Sequence, residues 1–206
     1  MPKPYILGIS GGSASGKTFL LRQLMSTFPE EGVTLISQDN YYKKREAQRK
    51  EADGLINFDH PDAIRLDLLT QDVKRLIGGE SIELQEYTFN NPNKVPQTIV
   101  MKPAPLMIVE GLFVLHHEPL AQIQHLKVFV DAQEHIKIGR RLKRDITERG
   151  YSMESILRDY ERFVAPMYEQ FVAPSKQIAD LIIPNNKHMY KAVQVLVNHL
   201  RSVVEP

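Results

Sequence analysis

The sequence predicts an α/β fold, a parallel sheet with helices on both faces. Two observations carry this. Short apolar runs alternate along the chain with stretches patterned at helical spacing. The first run, Tyr5–Ile9, also leads straight into a phosphate-loop pattern, G-x-x-x-x-G-K-[ST], met by Gly11, Gly16, Lys17 and Thr18. A helix marked by Phe19, Leu20, Leu21, Leu24, Met25 and Phe28 follows, so the motif sits in the strand–loop–helix setting it requires.

The chemistry of this loop follows from its composition. Gly11, Gly12, Ser13, Ala14, Ser15 and Gly16 let consecutive backbone N–H groups converge on one point, where the new helix directs its positive end. Lys17 is expected to reach the terminal phosphates of a nucleoside triphosphate, and the Thr18 hydroxyl to ligate Mg²⁺.

The remaining elements are read in order. Residues 32–37 form a second strand ending at Gln38-Asp39-Asn40-Tyr41-Tyr42, and strand ends are where ligand residues collect in such sheets. The charged stretch 43–53 reads as a mobile loop or short helix. Asn57 to Ala63 opens a helix, with Pro61 and Asp62 in its first turn. Leu66, Leu69, Val73 and Leu76 form its apolar stripe, and Gly78-Gly79 ends it. Two short strands, 81–89 and 97–101, surround the turn-rich Asn90-Asn91-Pro92-Asn93; this hairpin, about 81–102, stands off the main sheet.

Leu106–Val109 is uniformly apolar, as a central parallel strand should be, and ends in Glu110-Gly111. Lys127–Asp131 is another buried strand. The following helix places Ile138, Leu142 and Ile146 on one face; Lys137, Arg140, Arg141 and Arg144 lie opposite, with Arg149 past the helix end. A longer helical stretch, 153–171, is kinked near Pro166. Asp180–Pro184 is the last strand. The closing helix packs through Val193, Leu196, Val197, Leu200 and Val204.

Whole-chain properties narrow the function classes. The 206 residues suit one domain spanning 1–206, and 42% hydrophobic with 25% charged residues is ordinary for a globular protein. A formal net charge of +1 gives no general case for nucleic acid or an anionic membrane as partner. The absence of cysteine excludes disulfides and thiolate chemistry and fits a cytoplasmic protein. No run approaches a membrane span, and the N-terminus enters the first strand without a signal-peptide pattern.

Phosphoryl transfer needs a held triphosphate, charge neutralisation and an oriented nucleophile. Asp39 and Glu110, at the ends of apolar strands, can hold Mg²⁺ or accept a proton from an attacking hydroxyl. Between Lys137 and Arg149 six basic residues stand against two acidic ones. Such a segment, about 137–152, suits a lid that closes arginine forks over phosphate.

The chain resembles the uridine kinase (uridine–cytidine kinase) family of P-loop kinases. The resemblance rests on GISGGSASGKT, QDNYYK, NFDHPDAI, VEG, RRLKRDITERG and YERFVAPMYEQFVAPSKQIADLIIP. It implies the nucleoside-monophosphate-kinase-like α/β fold with a helical lid, and ATP-dependent phosphorylation of a nucleoside 5′-hydroxyl. It further implies Asp39 as general base near the metal, with Thr18 and Glu110 completing the Mg²⁺ shell. Asp59 would hold the ribose hydroxyls, Tyr42 and Tyr87 would line the acceptor pocket, and Arg141, Arg144 and Arg149 would close over phosphates. A homotetramer is the implied assembly.

Three departures fall on base recognition. Pro92 stands where the family has a histidine, Tyr151 where it has an arginine, and Asp159 where it has a glutamine facing the base. Asn90, Asn91 or Asp159 would then read a different base edge or another hydroxyl substrate. A P-loop kinase for a different small-molecule alcohol is therefore the alternative. A nucleotide-binding regulator ranks below both, since Lys17, Asp39 and the arginines are all present. The string Asn186-Lys187-His188-Met189 lacks the aspartate of a guanine-reading N-K-x-D and opens the last helix.

Overall fold

Five parallel strands form the main sheet: β1 (Tyr5–Ser10), β2 (Val33–Ser37), β5 (Leu106–Glu110), β6 (Leu126–Asp131) and β7 (Leu181–Pro184), in the order β2-β5-β1-β6-β7. The computed structural model describes residues 3–88 and 95–204. β5 is interior, as its unbroken apolar run requires, and β1 is the middle strand. Register fixes the functional edge. Glu110 lies opposite Ile9 on one neighbour and Ser37 on the other. The C-terminal ends of β1, β2 and β5 therefore meet, and the phosphate loop leaves β1 at that point.

Each face of the sheet is sealed by a different set of helices. On one face α1 (Lys17–Met25) and α7 (Tyr190–Val204) pack Leu20, Leu24, Leu196 and Leu200 against Leu7, Ile9, Ile108 and Val128. On the other, α2 (Leu66–Ile77) packs Leu69, Val73 and Leu76 against Ile6, Ile36, Met107 and Phe129. Each fully buried side chain of this kind contributes roughly 1.5–3 kcal/mol of transfer free energy. A separate antiparallel pair, β3 (Ile82–Gln85) and β4 (Thr98–Met101), forms the hairpin, with strands shorter than expected. The turn expected at Asn90, Asn91, Pro92 and Asn93 lies outside the described residues.

Several local expectations need correction. Pro61 begins only a 3-10 turn, Pro61–Ala63, in which His60 Nδ1 accepts from the Asp62 amide; α2 starts later, at Leu66. Arg65 donates its amide to the Tyr41 carbonyl, which breaks the helical run between them. The 43–53 stretch is pinned. Buried Gln48 donates to the carbonyls of Lys43 and Ala63, and bridges join Tyr42 to Ile64 and Lys50 to Ile56.

The helical stretch after α4 (Glu134–Arg149) comprises α5 (Met153–Asp159), a π turn, α6 (Ala165–Met167), a second π turn and a 3-10 turn ending at Gln177. The π turns flank Pro166, which has no N–H to give, so the missing hydrogen bond is absorbed by local unwinding. A four-residue helix not anticipated from the pattern, α3 (Glu118–Ala121), follows β5. Residues 186–189 precede α7, which begins at Tyr190, and Asn186 Oδ1 accepts from the Gln133 amide instead. Among the described residues no helix is long and apolar enough to cross a membrane.

Ile108 is fully buried in an interior strand, whereas Ile182 on edge strand β7 is 45% exposed. Ile108→Ala is expected to lower unfolding free energy by about 2–5 kcal/mol, through lost transfer energy plus a cavity. Ile182→Ala is expected to cost under about 1 kcal/mol. Urea titration of both variants checks this ordering.

Candidate active site

The phosphate loop is held in shape from three sides. Gly11 has φ +148°, and a Cβ there would lie 2.3 Å from the Val130 carbonyl oxygen. Gly16, at the helix N-terminus, has φ +110°, and a Cβ there would lie 2.1 Å from Asn185 Nδ2. Both positions need glycine for conformation and for space. Ala14 adopts φ 60°, a strained value for a residue with a side chain. Buried Asn185, just after β7, donates from Nδ2 to the Ser15 carbonyl at 2.8 Å. Arg140 joins the same support through the carbonyls of Asn185 (2.9 Å) and Ser15 (3.4 Å). Lys17 Nζ donates to the carbonyls of Gly11 (2.7 Å) and Gly12 (3.1 Å). Thr18 is exposed in the first turn of α1.

Two carboxylates stand beside the loop. Ser37 Oγ donates to Glu110 Oε1 at 2.5 Å and accepts from the Asp39 amide at 3.3 Å, so one serine ties the two strand ends together. Burial pushes the Asp39 carboxyl above its usual range, against the pull of Lys17, Arg149 and Arg144. Burial and then the Asp39 charge push Glu110 up, against Lys17 and the Ser37 bond. Burial depresses the Lys17 ammonium in turn, partly offset by Glu110 and Asp39. Each charge in this cleft is thus only partly compensated by its neighbours. Two adjacent acidic groups with a nearby hydroxyl suit Mg²⁺, which takes one or two carboxylates and keeps the rest of its shell for water and phosphate. Asp39 and Glu110 therefore fit the ion that the loop implies, and the exposed Thr18 hydroxyl is the further donor that the motif expects.

The basic helix turns much of its charged face inward. In α4, Lys137 and Asp145 are buried, Ile138 and Leu142 are half-buried, and Ile146 is 42% exposed. Lys137 sits 3.5 Å from the Tyr168 ring centroid and pairs with Glu134. Arg141 Nη1 donates to Ser13 Oγ at 3.1 Å. Arg149 is the last residue of α4 and lies inside the helix. Asp145 pairs with Arg141 (3.3 Å), Arg144 (2.8 Å) and Arg149 (3.4 Å).

The other side of the cleft is aromatic and acidic. Tyr42 and Tyr87 stack with ring centroids 5.0 Å apart, and Phe58 meets Tyr42 edge-on at 6.2 Å. The Tyr87 amide donates to Asn40 Oδ1, which anchors the hairpin to the end of β2. Burial, with Asp39, Asp59 and Tyr87 beside it, holds the Tyr42 phenol well above its usual range, so it stays a hydroxyl donor. Burial raises the Asp59 carboxyl, while Arg141, Arg144 and Arg149 act to lower it. The three arginines thus share a field with Asp59, and two of them with Asp39.

The fold therefore gathers the loop, Asp39, Glu110, Asp59, Tyr42, Tyr87 and the α4 arginines around one edge. Asp159 is the exception: it stands half-exposed at the surface and pairs with Arg158 at 3.0 Å. Tyr151 is 52% exposed. Asp145, Asn185 and Ser37 were not anticipated. Only Asp145 carried a readable signal, lying four residues from both Arg141 and Arg149 and so on their helix face.

Residues 6–190 match the sequence model of the "Phosphoribulokinase / Uridine kinase family". The chain belongs to this family. A uridine kinase from Streptococcus thermophilus is 37% identical over 206 residues, covering 100% of this chain and 98% of that protein. A uridine kinase from Streptococcus pyogenes is 37% identical over 204 residues, covering 99% and 98%. A phosphoribulokinase from Rhodobacter spheroides shares the fold with a TM-score of 0.64 at 20% identity, over 88% of this chain and 70% of that one. The parallel-sheet P-loop kinase architecture of this family is what positions the cleft.

The raised Asp39 carboxyl has a consequence for stability. Such a group adds stability below its unfolded value and loses it as pH rises through its folded value. Asp39→Asn removes that loss. The variant is expected to melt higher than the wild type at pH 7, with the gap closing as pH falls toward the unfolded carboxylate value of 3.8. Calorimetry across that range checks it, and a lower Tm at pH 7 would contradict the uncompensated charge.

Proposed function

We propose that this chain is an ATP-dependent kinase that phosphorylates the 5′-hydroxyl of a nucleoside, with uridine or cytidine as acceptor. The observation that carries the proposal is the position of Asp39. It lies at the end of β2, tied through Ser37 to Glu110, in one electrostatic neighbourhood with Lys17 and the α4 arginines. Full-length similarity to uridine kinases supports the same acceptor class.

In this mechanism the loop amides and Lys17 hold the triphosphate, and the residues of the loop, Gly11 to Thr18, fix its direction. Asp59 takes the ribose hydroxyls, and the Tyr42–Tyr87 pair lines the base. The 5′-hydroxyl oxygen bonds to the γ-phosphorus, the bond from that phosphorus to the β–γ bridging oxygen breaks, and the hydroxyl proton passes to Asp39. A raised carboxyl is a better proton acceptor than an ordinary one, which suits that role. Thr18, Asp39 and Glu110 would hold Mg²⁺, which when bound supplies charge neutralisation across the phosphates. Arg141, Arg144 and Arg149 stabilise the charge spread over the transferring group, and the segment 137–152 acts as a lid that excludes water. We place the enzyme in the cytoplasm, as a homotetramer, with ATP and a nucleoside as its partners and no role for nucleic acid or membrane.

A second reading keeps the chemistry and changes the acceptor. It is favoured by Asp159 and Tyr151, which stand at positions where the family resemblance expects base-contacting residues and are surface-exposed here. A site with fewer polar contacts to the base discriminates less between acceptors.

With ATP and uridine, uridine-dependent ADP release is expected from the wild type. Asp39→Asn should lose about 10²–10⁴-fold in kcat while still binding ATP. Lys17→Ala should lower kcat by about 10²–10³-fold and weaken ATP binding as well. Unchanged turnover in either variant would remove the assigned role.

A further inference from the structure

At 1% relative exposure, Asp145 is the most deeply buried charged residue among those described. It carries no role in the chemistry above, yet it touches three of the arginines that do. Its Oδ2 pairs with Arg141 Nε, and its Oδ1 with Arg144 Nε and Arg149 Nη1. Its backbone carbonyl accepts from the amides of Gly150 and Tyr151, closing the C-terminus of α4 beside Arg149.

The Arg144 contact is a directional hydrogen bond. A guanidinium is a planar fork, so fixing one edge fixes where the other edge points. Asp145 accepts from Nε of Arg144 at 2.8 Å and pairs by charge with Arg141, whose Nε lies 3.3 Å from its Oδ2. On Arg141 the opposite end, Nη1, meets Ser13 Oγ in the phosphate loop at 3.1 Å. One carboxylate therefore holds the inner edge of the Arg144 fork and lies in ion-pair range of Arg141, whose outer end meets the phosphate loop, and of Arg149 at the end of the same helix. Three guanidiniums against one carboxylate leave a net positive cluster, as a site for a transferring phosphoryl group requires.

We infer that Asp145 is a positioning residue for phosphoryl transfer, acting through Arg141, Arg144 and Arg149 and touching neither nucleotide nor acceptor. The inference rests on the kinase reading above. A purely structural buried ion pair would behave differently, since replacing it by uncharged groups is often close to neutral for stability and would leave turnover per folded molecule intact.

A double-mutant cycle separates the two. Asp145→Asn is expected to lower kcat by about 10–100-fold, with KM for ATP moving less than about fivefold. In an Arg144→Ala background the same substitution should cost at least about threefold less than in the wild type, because one of the three residues it acts through is gone. Asp145→Glu, which keeps the charge, should recover part of the lost kcat and guards against a variant that does not fold. Additive losses in the cycle, or full kcat in folded Asp145→Asn, would overturn the inference. Arginine modification by phenylglyoxal, read by mass spectrometry, needs no acceptor. Arg141 and Arg144 should react at least about fivefold faster in Asp145→Asn, and equal rates would also overturn it. A wild type inactive on uridine but showing this protection would count against the acceptor assignment alone.

Discussion

The structure depends on a set of charges held together in a cleft that hydrates none of them fully. Lys17, Asp39, Glu110 and Asp59 are each driven toward their neutral forms by burial, and each is pulled back by a neighbour of opposite sign. No single pair balances. The arginines of α4 meet their demand for negative charge through Asp145, and one serine links the Glu110 carboxylate to the Asp39 backbone amide. Such an arrangement costs stability in isolation.

The scaffold makes this possible by rigidity. Glu110 is fixed in register against Ile9 and Ser37, in the interior of a sheet whose two faces are sealed by separate apolar layers. The loop is braced by Asn185 and Arg140 from across the cleft, so its strained backbone at Ala14 is held by the surrounding structure. The stable part of the molecule and the reactive part meet along a single sheet edge, as in open α/β folds generally.

Much of this was legible in the sequence, for physical reasons. Fully buried parallel strands are uniformly apolar, so β1, β5 and β6 stood out, and the glycine pattern of the phosphate loop admits few other conformations. Asp39 and Glu110 were readable because strand ends are where ligands collect. What was not legible depends on tertiary contacts. The burial of Lys137 on the α4 basic face is one case, set by Tyr168 and Glu134. Pro61 caps a 3-10 turn in place of α2 because the Arg65 amide is claimed by the Tyr41 carbonyl. The π turns around Pro166 and the Ser37 bridge leave no periodic trace. Asp159 pairs with Arg158 because it projects to the surface beside it, which a motif alignment cannot show.

The phosphate loop is specified by backbone geometry, and the proposed acceptor side rests on a few aromatic and acidic side chains. The choice of acceptor is therefore the property that most needs measuring. A measurement of kcat/KM by coupled ADP release, across nucleosides, sugars and small alcohols with the wild-type chain, tests it. Uridine or cytidine should exceed every non-nucleoside acceptor by at least about tenfold, with the phosphate found on the 5′-oxygen. A sugar or small alcohol turned over faster than any nucleoside would contradict it.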